Sequence, residues 1–439
     1  MGAKLKFDYR RIYHVNYACK DYLYKTFKER SLLYWFYLYF RALISSLLLR
    51  DRWKYANVKD VLIVAITANN QRTLTPIVDK LKTQEYTYCI NTNDLVPLGL
   101  SVWYSLPWLP SFLKLYFLSS KEEKIMIRKN GLDFLIMPGK FKVTKKFYEK
   151  NPNIKLVMFA NDHLPHIRCL IEQANACGIK TFYTQHASVS NRFPPLSFSY
   201  SFLDGQETLD KYKECGPVWG KVILSGSSRF DVAMSLNKDA NNIIGVAFNV
   251  LDDIHKVLDT CKYLRNNGFN NVVARPHPNQ ECIQDLMSLL EKENIQISRP
   301  SQENPFIFLS RIGFLVAGDS SIHLEAAMMN TPSVLYNWTD GEIMDNYKYH
   351  ERGVMPYAKT TTELCDALKQ RYIPSASLIQ YYVASFGTSY HGKTSELIAG
   401  FINSLIENKQ DEYLQFHFDT SLEGCYVLKG IKETNSNCI

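Results

Sequence analysis

Residues 313–338 read GFLVAGDSSIHLEAAMMNTPSVLYNW. A partly β-branched apolar run gives way to a small polar turn, a stretch with helical spacing, a Thr-Pro break and a second apolar run. Two such runs joined by a helix read as parallel strands of one sheet, since a crossover is what returns the chain in the same direction. Parallel strands need helices on both faces of their sheet, so this segment commits its surroundings to an α/β layer architecture.

The same unit recurs along the chain. KDVLIVAIT (59–67), GLDFLIMPG (131–139), KLVMFANDH (155–163), IKTFYTQHAS (179–188) and KVILSGSSRFD (221–231) read as strands feeding polar turns. A polar, weakly patterned stretch at 231–242 reads as a linker. A second series follows in IIGVAFN, NNVVARPHP, IQISRP, IGFLVAGDS and PSVLYNW, separated by helical runs such as HKVLDTCKYLRNN and IQDLMSLLEKEN. Two doubly wound, Rossmann-like domains in tandem are expected, at 59–236 and 237–380, facing each other across a cleft. The chain from 381 to 439 reads as helices, including SELIAGFINSLIENK, and a tail from about Leu422.

Residues 1–58 have a different character, basic and aromatic, with no Pro and no Gly after Gly2. They read as a helical extension. Ser31–Leu49 approaches the length of a membrane span, but Arg41 near its middle and the hydroxyls of Tyr34, Tyr37 and Tyr39 oppose one. Two readings remain open for the extension: helices lying in a lipid headgroup layer, with residues such as Lys6, Arg10, Lys28 and Arg30 among the phosphates, or helices covering a core face.

Charge narrows the function classes. Fifty-one Lys and Arg against forty-three Asp and Glu give +8, too mild and dispersed for nucleic acid, and suited to an anionic substrate or surface. Ten cysteines without metal-finger spacing read as reduced thiols of a cytoplasmic protein, either free or peripheral on the inner face of the cell membrane.

Chemistry is expected just past the carboxyl ends of the strands, where open parallel sheets bind ligands. Five such turns carry polar residues: Asn161-Asp162-His163, Gln185-His186-Ala187-Ser188, Ser225 to Arg229, Arg275-Pro276-His277-Pro278 and Gly318-Asp319-Ser320-Ser321. Ser320 and Ser321 open a helix, whose free N–H groups favour a phosphate, and Glu325, four residues on, shares their face within reach of a ribose. Arg275 can screen donor phosphates, and His277 can bond or protonate a leaving oxygen. Asp162 and His186 are candidates for an oriented acceptor-side base, while His163 and His166 are assigned mainly to packing. There is no Asp-x-Asp to chelate a metal-diphosphate, no GxxxxGK[ST], and no GxGxxG after the first strand. No metal or cofactor is expected, and a dinucleotide oxidoreductase is disfavoured.

The order QHAS, RPHP, then GDSSIHLEAAMMNTPSVLYNW resembles the GT-B glycosyltransferases and polyol-phosphate transferases of bacterial surface-polysaccharide assembly. It resembles most the teichoic-acid glycerophosphotransferase-like enzymes and the capsule Kdo and sialic acid transferases. The resemblance covers roughly residues 155–405. It implies that His277-Pro278 is the family's HP motif on the donor phosphate, that Ser320 and Ser321 are its serine motif on a cytidine nucleotide, and that His186 holds the place of the acceptor-side base. The chain departs there, with Ala187 where the family has glycine. The same stretch is similar to the nucleotide-binding segment of UDP-GlcNAc 2-epimerases, in which a glutamate placed like Glu325 holds the ribose, so uridine stays open. The resemblance implies a transferase, metal-independent, moving a group from a CMP- or CDP-linked donor to a polysaccharide or lipid-linked acceptor. The alternatives are a UDP-sugar epimerase or hydrolase, or a non-catalytic scaffold.

Overall fold

The computed structural model describes residues 6–14, 27–48, 54–83, 85–190, 193–234, 236–238, 242–278, 280 and 284–430. The chain forms two compact units, one of residues 1–227 and 395–429, the other of 228–394 with the last ten residues.

In the first unit six parallel strands, β1 (Val61–Val64), β2 (Tyr86–Cys89), β3 (Leu156–Phe159), β4 (Lys180–Thr184), β5 (Ser197–Leu203) and β6 (Trp219–Leu224), line up in the order β6-β5-β4-β3-β1-β2. β1 and β3 are buried along their whole length, as expected of central strands covered on both faces. In β5, SFSYSFL, Phe198, Tyr200 and Phe202 alternate with serines. β3 pairs with β4 in register, Phe159 opposite Tyr183. Their following turns, which carry Asp162 and His186, therefore leave the same sheet edge side by side.

The second unit holds β7 (Ile244–Phe248), β8 (Val272–Pro276), β9 (Gln296–Ile297), β10 (Phe314–Ala317), β11 (Ser333–Tyr336) and β12 (Tyr357–Ala358), all parallel, in the order β12-β11-β10-β7-β8-β9. Counted from its own first strand this is the 3-2-1-4-5-6 order of a dinucleotide-type fold. Helices Ile254–Asn266 and Thr361–Gln370 bury Leu258, Leu264, Leu364 and Leu368 with Val246, Val316 and Trp338 in its core.

Several sequence expectations change. GLDFLIMPG is no strand. It opens a 20-residue helix, Gly131–Lys150, with Pro138 inside it. The run is the buried opening of the helix, too short and too apolar to reveal a period, and the polar residues that do so come after it. Gly139 of this helix lies against the Leu98–Ser105 helix so closely that a Cβ would sit 1.7 Å from the Ser101 carbonyl oxygen. Of the chain after Leu422, read as a tail, residues 423–430 are described, and β14 (Tyr426–Leu428) there adds to β6 and pairs antiparallel with β13 (Phe418–Thr420), while 431–439 lie outside the described residues. Asp231–Met234, read as linker, is a helical turn of the second unit, tied down where the Thr394 N–H donates to Asp231 Oδ1 at 2.9 Å. Residues 235 and 239–241 of that stretch lie outside the described residues.

The extension is helical where it is described, at Tyr9–Tyr13 and Leu32–Leu48. Both helices are built into the first unit. Tyr13 stacks on Phe134 at 3.8 Å, Trp35 Nε1 donates to the Arg128 carbonyl at 2.7 Å, and the Tyr39 hydroxyl donates to the Val102 carbonyl at 2.9 Å. Among the described residues no helix is long and apolar enough to cross a membrane. Lys4, Lys20 and Lys25 of the extension lie outside the described residues.

Candidate functional site

Each unit presents one cluster at the point where its strand order reverses. In the first sheet that point lies between β1 and β3, and the Asn70 amide spans it, donating to the Ala160 carbonyl at 3.3 Å. The next three residues are Asn161, Asp162 and His163. Asn161 Oδ1 accepts from the His163 and Leu164 N–H groups at 3.2 and 3.1 Å, an Asx turn that fixes the loop.

Asp162 is buried, and its carboxylate is fully used: Oδ1 meets His163 Nδ1 at 3.1 Å, and Oδ2 accepts from the Tyr212 hydroxyl at 2.6 Å. Tyr212 also shares a hydrogen bond with Tyr183 at 3.0 Å. Burial alone would raise the Asp162 carboxyl, but the His163 bond and charge, together with the Tyr212 hydroxyl, hold it below the usual range. Arg168, itself buried, donates to the Asp162 backbone carbonyl at 3.4 Å and to the Arg11 carbonyl at 3.2 Å.

The expected orientation of His186 by Asp162 takes a different form. The residue bonded to Asp162 is His163, which the sequence assigned to packing, and His186 lies beyond it with the two rings nearly parallel, centroids 6.0 Å apart. The sequence contained the signal: in an Asn-Asp-His turn after a central strand, the Asx turn folds His163 back onto its neighbour. His14, at the end of the Tyr9–Tyr13 helix in a left-handed conformation (φ 46°), also feels the Asp162 and Arg168 charges, and burial lowers its pKa. His166, by contrast, is pushed down to about 4 by burial, with the Lys140 charge adding to it, as a packing histidine would be.

In the second sheet the reversal lies between β7 and β10. The turns after these strands form a narrow recess with Asn249, Asp252, Gly318, Asp319, Tyr336 and Asn337 in its wall. A Cβ at Gly318 would come 2.7 Å from Asp252 Oδ1, so a larger residue here would displace that carboxylate. Asp252 is pushed up to about 6 by burial, a shift opposed by the Asn249 N–H and reinforced by the Asp319 charge. The next residues are Ser320, which accepts from the Ile322 N–H at 3.4 Å, and Ser321, the N-cap of helix Ile322–Met328. That helix has only two turns, so whatever an anion gains here comes from local N–H and hydroxyl donors more than from a macrodipole. His323 is fully buried, with Nε2 bonded to the Gly318 carbonyl at 3.1 Å, and locks the turn from behind.

Burial raises the Glu325 carboxyl, and the charges of Arg229 and Arg275 oppose the shift. Arg229, which the sequence placed in one of the five polar turns, was given no role there. Arg275, expected to face donor phosphates, is largely committed to the fold: 6% exposed, it donates to Ser298 Oγ at 2.6 Å and to the Glu303 carbonyl at 2.8 Å, and it lies over the Phe308 ring. His277 is exposed just beyond β8, its N–H donating to Gln280 Oε1 at 3.3 Å. Among the described residues no group of three His, Cys, Asp or Glu side chains is placed to hold a metal ion.

No family model matches the sequence, and no curated protein matches it. Solved structures do. The UDP-GlcNAc 2-epimerase from Neisseria meningitidis, bound to UDP-GlcNAc, superposes with a TM-score of 0.50 and 14% identity over 79% of this chain and 100% of that one. The UDP-GlcNAc 2-epimerase from Methanocaldococcus jannaschii gives 0.48 and 12% over 78% and 99%. The wall teichoic acid polymerase TagF, soaked with CDPG, gives 0.46 and 12% over 87% and 99%. At such identities the likeness is one of fold, and with the two strand orders it gives the chain an α/β fold of the GT-B type.

Proposed function

We propose that this protein is a transferase that takes a sugar or polyol phosphate from a nucleotide-activated donor, CMP- or CDP-linked, and passes it to a surface-polysaccharide or lipid-linked acceptor. The observation that carries the reading is the placement of both residue clusters at the reversal points of their sheets, where doubly wound folds bind ligands.

In the second unit Ser320 and Ser321 take the donor phosphates and Glu325 the ribose hydroxyls, with His277 at the leaving oxygen. The charges of Arg229 and Arg275 oppose the rise that burial imposes on the Glu325 carboxyl. In the first unit His163 takes the acceptor proton, because the imidazolium so formed is paired with the Asp162 carboxylate already in contact with it. His186, beside it, contacts the acceptor. Transfer then depends on both clusters, and no step calls for a divalent metal.

The second reading, a UDP-sugar epimerase, is favoured by Glu325 together with the epimerase structure of similar fold that holds UDP-GlcNAc. The two separate by product: an epimerase converts a UDP-sugar with no acceptor present. For the transferase, His163→Ala lowers transfer at least 100-fold with nucleotide affinity within threefold of wild type, whereas Glu325→Ala loses nucleotide affinity. Transfer that survives His163→Ala overturns the assignment of the base.

A further inference from the structure

The Leu32–Leu48 helix docks through Tyr39 and Ser46, both buried. Its opposite side is apolar and bare. Leu33 is 82% exposed, Tyr37 61%, Ile44 62% and Leu48 79%, with Phe40 between them at 46%. Steps of four, three, four and four residues put all five on a single face. The Leu109–Leu118 helix adjoins through Phe36 and Phe112, rings 5.9 Å apart, and ends in Phe117 and Leu118, 69% and 71% exposed. An apolar surface of this extent on a water-exposed helix marks an interaction site.

We propose that this face lies in the plane of an anionic lipid bilayer, its apolar side chains among the first acyl carbons. The inference deepens the transferase reading by naming the surface from which a lipid-linked acceptor would be reached. Seventeen residues span about 25 Å, short of the roughly 30 Å hydrocarbon core, so the helix lies along the bilayer and does not cross it.

Charge selects the occupant. Over residues 27–48 the cations are Lys28, Arg30 and Arg41 and the anion is Glu29, which is salt-bridged to Arg128. Arg41 lies about 40° around the helix from Tyr37, at the flank of the stripe. Against a second copy related by a two-fold axis through the middle of the stripe, Arg41 would meet its own counterpart in a closing apolar interface. In a headgroup layer each finds a lipid phosphate while its stem and the tyrosine hydroxyls snorkel.

The test is co-sedimentation of the full chain, without nucleotide or acceptor, with phosphatidylcholine vesicles with and without phosphatidylglycerol. Wild type pellets with the anionic vesicles and several-fold less with the neutral ones. The variant Leu33→Ser/Tyr37→Ser/Ile44→Ser/Leu48→Ser binds at least tenfold more weakly with its circular dichroism unchanged, since these side chains make no core. Arg41→Glu, a milder change, weakens binding to anionic vesicles and leaves the neutral ones unaffected. Wild type that ignores both vesicles, a quadruple variant that binds like wild type, or a dimer in solution that the quadruple variant abolishes with no vesicle binding each overturns the proposal. Because the assay reads no catalysis, a membrane failure and a transferase failure are told apart.

Discussion

Asparagine in place of Asp162 keeps the shape of the side chain and removes its charge, which isolates what that charge does in the buried turn. The carboxylate takes part in two hydrogen bonds, with Tyr212 at 2.6 Å and His163 at 3.1 Å. Hydrogen bonds to charged groups contribute about 1.5–3 kcal/mol and neutral ones about 0.5–1.5, so Asp162→Asn should cost roughly 2–3 kcal/mol of stability. Tyr212→Phe removes one of those bonds and also takes a partner from Tyr183, for about 1–3 kcal/mol. Since both changes break the same bond, the double variant should fall short of their sum by about 1 kcal/mol. Urea unfolding followed by tryptophan fluorescence measures this in the right place, because Trp35, Trp103, Trp108 and Trp219, four of the six tryptophans, belong to the first unit. The pH dependence has a definite sign. A carboxyl held below its unfolded value stabilises the fold above the ordinary carboxylate pKa of about 3.9 and loses that contribution as pH falls through its folded value. The gap between wild type and Asp162→Asn should therefore persist from pH 7 to 5 and narrow only below about pH 4. Additive single changes, or a gap that closes between pH 7 and 5, would refute the charged Tyr212–Asp162–His163 arrangement.

Gly139→Ala should destabilise the first unit by more than about 3 kcal/mol, seen as a lowered urea midpoint, because the new methyl meets the Ser101 carbonyl and the Ser105 nitrogen, both backbone atoms that no rotamer change can move aside. His323, fully buried with its pKa pushed down to about 4, should make the second unit acid-labile: the unfolded chain binds the extra proton, so stability is whole at pH 7 and declines as pH falls from about 6.5 to about 4, by at most about 3 kcal/mol. His323→Gln should flatten that part of the stability profile measured by urea titration at each pH, and a profile as steep as wild type would refute the assignment.

What the sequence made legible follows the physics of each element. Central strands such as VLIV and FLVA announced themselves, since burial on both faces leaves a continuous β-branched run between polar turns. The helix at Gly131–Lys150 did not, because its opening run, GLDFLIMPG, is apolar over too few residues to show a helical period. The short outer strands did not either: β14 is three residues long and is held by pairing with β6, a contact about two hundred positions away. At the candidate sites the turns were legible and the partners were not. Asp162 was placed correctly at a strand end, but whether His163 or His186 met it depended on the Asx turn at Asn161. Arg275 looked free for phosphate until Ser298 and Glu303, more than twenty residues later, folded onto it.

In the proposed function a pyrimidine nucleotide binds the second unit at the Gly318–Ser321 turn with its ribose on Glu325. Calorimetric titration of CMP, CDP, UDP and GDP into wild type and Glu325→Gln tests it most directly. A cytidine nucleotide should bind wild type tightest, and Glu325→Gln should weaken it about tenfold or more, the loss of hydrogen bonds to a charged acceptor. Binding of none of the four to wild type, or equal affinity in the variant, would contradict it.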